Sequence, residues 1–160
     1  AQNPEDALAL RLKAVALMNV GDEEADQRSS LYQQAQAALA AAYRLDATDY
    51  RTYMAMARNR RGQPDYPTEN DLQVLLLGSE LAPQIQQLRF EAGAALMAHA
   101  RYVEAISYLA PLANDPHGGK ELDEVRRILN EARAKAGLAS AGDEAPSADE
   151  GSDEATPTAS

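Results

Sequence analysis

Apolar residues return at every third or fourth position through nearly all of the first 136 residues, and the runs stop only at short clusters of Gly, Pro, Asn, Asp and Ser. That spacing is the period of one helix face, whereas a half-buried strand would alternate at every second residue. It commits the chain to helices joined by brief turns. Residue usage agrees: alanine occurs 33 times, against seven Tyr, one Phe and no Trp. Alanine is the best helix former and lets helices approach closely, and a sheet would call for more β-branched and aromatic residues.

Seven helices are predicted. The first covers about residues 4–20. Asn3 serves as its cap, Pro4 is at the first helical position, Glu5 and Asp6 face the positive end of the helix, and Gly21 stops it. The second follows Ser29-Ser30 and carries Leu31, Ala35, Ala38, Leu39, Ala42 and Leu45 on one face. Asp49 caps a third, with Tyr53, Met56, Ala57 and Arg60 on one side, which ends in Arg61-Gly62-Gln63-Pro64-Asp65-Tyr66-Pro67. Thr68-Glu69-Asn70-Asp71 starts a fourth, carried to Pro83 by Leu72, Leu75, Leu76 and Leu81. The fifth covers about 84–99, the sixth 102–113 and the seventh about 120–136. The seventh has Leu122, Val125, Leu129 and Ala132 on its dry side and expected ion pairs Asp123/Arg127 and Glu131/Lys135 on its wet side. From Gly137 onward the composition is that of a disordered acidic tail, so 1–136 is read as one helical domain and 137–160 as the tail.

Several function classes fall away on composition. Without cysteine there is no disulfide, thiolate metal site or cysteine nucleophile. His99 and His117 lack zinc-binding spacing, and Gly118-Gly119 after Pro116-His117 reads as a turn rather than a phosphate loop, so neither metal nor cofactor is expected. The net charge is −10, and the tail carries −6 of it with no Lys or Arg. The remaining −4 offers no broad basic surface, so nucleic acid is not an expected partner. No apolar run approaches the roughly 20 residues of a membrane-spanning helix, so no membrane insertion is expected. The start at Ala1-Gln2-Asn3-Pro4 leads us to expect a processed protein or a piece of a longer one.

Within Gln87–Pro116, Gly93 is at an expected close approach of two helices and Leu96 follows one turn on. Ala100-Arg101-Tyr102-Val103-Glu104-Ala105-Ile106 then opens the next helix. This text resembles the turn and second-helix start of a tetratricopeptide repeat: a small residue, a polar one, an aromatic, any residue, then Glu-Ala-Ile. A second unit, Tyr50–Pro83, has Tyr53, Met56, Ala57 and Leu81-Ala82-Pro83 at family positions, but adds about two residues at Pro64–Pro67 and has Asp71 where a small alanine is usual. A first unit, about 5–47, fits with Leu10, Ala14, Leu17, Gly21, Ala35 and Leu45 if roughly nine residues are inserted. The resemblance implies an all-α fold of about three antiparallel helix pairs stacked as a short solenoid, with the seventh helix as a cap.

It also implies a function. In this family the first helix of each pair lines a concave groove. Carried over, those positions are Arg11, Val15 and Met18, then Arg51, Met54 and Arg58, then Phe90, Ala94 and Met97. Methionines and an aromatic among guanidinium groups suit a peptide or protein segment that is apolar and partly acidic. The competing reading puts the same Met and Phe in the inter-helix core. The family's Lys/Asn carboxylate clamp is missing from these positions. The expected function is therefore a protein-interaction or scaffolding module without catalytic residues, in a bacterial envelope or secreted setting. The alternative is an accessory C-terminal helical domain of a larger enzyme whose active site lies outside this chain.

Overall fold

The computed structural model describes residues 4–114 and 121–138. Among these the chain is all-helical: α1 (Pro4–Glu23), α2 (Arg28–Leu45), α3 (Tyr50–Arg60), α4 (Glu69–Leu81), α5 (Gln86–Ala98), α6 (Tyr102–Ala113) and α7 (Glu121–Lys135). A short 3-10 turn, Ala25–Gln27, leads into α2. Each helix packs on the next along the chain, and α1 also touches α3 while α5 touches α7. The expectations for the His117 turn and for the tail beyond Leu138 lie outside the described residues.

Helix ends follow local chemistry. Asp49 accepts the Arg51 N–H at 3.1 Å and caps α3 as predicted. Thr68 and Asp71 form a reciprocal capping box on α4: Thr68 Oγ1 accepts the Asp71 N–H at 3.2 Å, and Asp71 Oδ2 accepts the Thr68 N–H at 2.9 Å. At the end of α5, Ala100 takes the left-handed conformation at φ 56°, the Ala100 N–H donates to the Met97 carbonyl and the Arg101 N–H to the Leu96 carbonyl. Gly137 closes α7 in the same way at φ 71°. This pair of bonds satisfies the last carbonyls of a helix, and glycine is its usual occupant.

Three predicted boundaries or faces need correction. Gly21 does not stop α1. It is buried inside the helix, where an added Cβ would lie 3.1 Å from the Tyr32 ring, so the glycine allows a close approach to α2. The helix runs on to Glu23, and α2 begins at Arg28 with Ser29-Ser30 inside it. Second, α3 is buried on two sides, through Thr52, Tyr53, Ala55, Ala57 and Asn59, because it lies between two cores rather than against one. Third, Leu81 on α4 is 41% exposed.

The larger core joins α3 to α7. Its fully buried leucines are Leu72, Leu75, Leu88, Leu96 and Leu109. Each contributes about 1.5–3 kcal/mol by leaving water. Val125, Leu129 and Ala132 of α7 complete this core as the sequence predicted. The smaller core is built from Ala14 and Met18 of α1, Tyr32, Ala35, Ala38 and Leu39 of α2, and Ala55 of α3. Gly93 marks the tightest approach: a Cβ there would lie 2.7 Å from both Cγ and Cδ2 of Leu109 on α6. Outside, Glu131 and Lys135 pair at 3.0 Å as expected, but Arg127 pairs with Glu124 at 2.7 Å instead of Asp123.

Candidate functional site

The nine residues carried over from the family lie on α1, α3 and α5, and the structure gives them three different settings. Met18 is fully buried in the smaller core, which corrects its assignment to a groove. Val15 is half-buried against that core. Met54, Phe90 and Met97 are half-buried against the larger core, with Ala94 half-buried one turn from Phe90. A half-buried thioether or ring is anchored on one side and open on the other: these side chains pack on the core and keep part of their surface exposed.

The arginines differ more sharply. Arg11 Nε donates to Asp49 Oδ2 at 2.9 Å, which ties α1 to the residue that caps α3. Arg58 Nη2 donates to Asn19 Oδ1 at 2.7 Å and Asp22 Oδ2 at 2.9 Å, both on α1. Hydrogen bonds from Tyr32 and then from Arg58 hold the Asp22 carboxyl below its ordinary range. These two arginines therefore bolt α1 to α3 and do not stand open for a ligand. Arg51 does stand open. It is 58% exposed, over the Tyr50 ring at 4.7 Å, and among the described residues it pairs with Asp49 alone, at 3.7 Å.

Arg60 and Asp71 form an interior pair that the sequence reading left as a departure from the repeat. Arg60 Nε donates to Asp71 at 3.1 Å and Arg60 Nη2 donates to Asp65 at 3.0 Å, so one guanidinium fixes both α4 and the loop before it. Burial pushes the Asp71 carboxyl up, but the bonds from Arg60 and Thr68 outweigh it and hold the group below its ordinary range. Asp71 caps a helix and pairs with Arg60 at once. Arg61 pairs with Glu91 of α5. His99 Nε2 lies 3.1 Å from the Pro67 carbonyl, with Nδ1 at 3.6 Å from Glu69, so it links the end of α5 to the start of α4.

Sequence reasoning missed a cleft of about 640 Å³ between the start of α2 and the end of α3. Arg28, Arg60 and Arg61 line it together with Gln33, Gln36 and Gln63. Ser29, Gln33 and Gln36 recur at helical spacing opposite the buried alanines of α2, a stripe that in sequence looks like any solvated face. A smaller recess of about 150 Å³ adjoins it, sharing Gln36, Asn59 and Arg60, and is otherwise lined by Leu39, Met56 and Val74 together with Asn70 and Asp71.

Among the described residues no three His, Cys, Asp or Glu side chains are grouped to hold a metal ion, and no helix is long and apolar enough to cross a membrane. A scan against protein-family models returns no match, and no curated protein matches the chain.

Proposed function

We propose that the chain is a tetratricopeptide-type interaction module: pairs α1/α2, α3/α4 and α5/α6 stacked as a short solenoid, α7 as its cap, and a partner's peptide segment held across the odd-numbered helices. The contacts of α1 with α3 and of α5 with α7 support the stacking. So does the close packing of Gly93 on Leu109, where the repeat needs a small residue. The observation that carries the binding assignment is the set Met54, Phe90 and Met97, half-buried on one core, with Arg51 exposed on the same helix as Met54. Thioethers and a ring adapt to apolar side chains, and an exposed guanidinium selects carboxylates among them. The same surface serves whether the chain acts alone or within a longer protein.

Charge reversal at Arg51 is the clean test, because Arg58→Glu would set two carboxylates against each other at Asp22 and loosen α1. With a partner isolated by affinity capture, Arg51→Glu should weaken binding about tenfold at low salt and leave the unfolding free energy within about 0.5 kcal/mol of the parent. Raising salt should narrow the gap as the exposed charge is screened. Equal affinities at low and high salt would rule this face out.

A further inference from the structure

We infer that the cleft between α2 and α3 is a second recognition site, one that takes an extended acidic peptide segment bearing an aliphatic side chain, on the opposite flank of α3 from Met54. Three guanidinium groups line the cleft and no carboxylate does. Of the carboxylates that pair with these arginines, Asp22, Asp65 and Glu91 line neither the cleft nor the recess beside it, and Asp71 lines the recess alone, where Arg60 holds it. They hold the arginines in place without filling the space in front of them.

Arg28 stands against its local electrostatics. It occupies the first turn of α2, where the helix end is already positive and an acid is the usual residue; α2 has no acid there and no side-chain cap. Its guanidinium lies over the Tyr32 ring at 5.1 Å and 3.4 Å from Asp22, and is 54% exposed. Arg61, from the turn after α3, is 52% exposed on the other side of the cleft. Between them Gln33, Gln36 and Gln63 present primary amides, each with a donor and an acceptor, the pairing that a peptide main chain requires. The recess beside them, where Leu39, Met56 and Val74 stand next to Asn70 and the Arg60-bonded Asp71, offers a seat for one aliphatic side chain. Carboxylates toward Arg28 and Arg61, main chain along the glutamines and an aliphatic side chain over Met56 describe the ligand.

The inference does not rest on the odd-helix surface, and its test separates the two. The full chain is titrated with the peptide acetyl-Glu-Glu-Leu-Glu-Glu-amide at low salt, and its amide NMR spectrum is followed. The expected result is movement of Ser29, Gln33, Gln36, Asn59 and Gln63, and of the Met56 methyl, with Met97 still. Arg28→Gln with Arg61→Gln should weaken binding at least about tenfold, while Arg51→Gln should not; both variants must melt near the parent, and Arg61→Gln alone serves if the double variant does not. Unchanged affinity in these variants overturns the proposal. So does an equal response to free glutarate at the same carboxylate concentration, which would make the cleft a small-anion site. Movement of the cleft resonances on changing Asp149, Glu150, Asp153 and Glu154 to their amides, with no peptide present, would assign the cleft to the chain's own acidic end and equally refute it.

Discussion

Gly93→Ala puts the packing of α5 on α6 to a quantitative test. The new Cβ would sit 2.7 Å from Leu109 Cγ and Cδ2, about 1 Å inside the normal carbon contact of about 3.5–4.0 Å. Leu109 is fully buried, so it must shift within the packed core to make room. Overpacking of this kind costs about 1–3 kcal/mol. Against it stands the helix preference for alanine over glycine, about 1 kcal/mol. The net expectation is a loss of about 1 kcal/mol, or a few degrees of melting temperature for a domain of this size. The Leu109→Ala background removes the clash and should reverse the sign. Leu109→Ala alone should cost about 2–5 kcal/mol, but Gly93→Ala added to it should recover up to about 1 kcal/mol, since only the helix preference remains. Thermal and urea unfolding of the four proteins measures the coupling. If Gly93→Ala costs the same in both backgrounds, or melts above the parent, the close approach of α5 and α6 is not where the structure puts it.

Other perturbations have equally definite outcomes. Ala100→Gly should stabilise by about 1 kcal/mol, because φ 56° is a left-handed conformation that costs an L-residue about that much; an unchanged or lower denaturation midpoint would contradict the turn geometry. Asp71→Asn should cost about 2–3 kcal/mol, less than a fully buried pair because Arg60 is partly exposed. The folded-state pKa of Asp71 is depressed, so its contribution is present above the unfolded value near 3.9 and is lost as pH falls through the folded value. Asp71→Asn should flatten that acid limb of the stability profile, and an identical acid limb in parent and variant would refute the assignment. Arg58→Glu should destabilise through α1 by facing Asp22, whereas Arg51→Glu should not; equal melting temperatures for the two would show that Arg58 does not hold α1.

The helices were legible in the sequence because their signals are local. Asp49 and Thr68 cap where they stand, and the stripe Val125, Leu129, Ala132 faces inward wherever α7 packs. Signals that depend on a neighbour were ambiguous. Gly21 has the text of a helix stop, and only the Tyr32 ring beside it makes it a contact point. Asp71 looked like a misfit in the repeat until Arg60, eleven residues earlier, gave it a partner. For the site, spacing put Arg51, Met54 and Arg58 on one helix, yet it could not tell an open guanidinium from one bonded to Asp22 across the helix interface. Met18 fell on the buried side of α1 for the same reason. The cleft was invisible because its residues come from α2, α3 and the turn after α3, and each looks like ordinary polar surface in its own segment.

The four methionines provide the most direct test of the binding assignment, since their methyl groups report from different places: Met18 from the smaller core, Met54 and Met97 from the odd-helix surface, and Met56 beside the cleft. A methyl NMR spectrum of methionine-labelled full chain, recorded as an isolated partner is added, should show Met54 and Met97 shifting to saturation together while Met18 stays fixed. A partner that binds with Met54 and Met97 unmoved would contradict the assignment of the interaction surface to α1, α3 and α5.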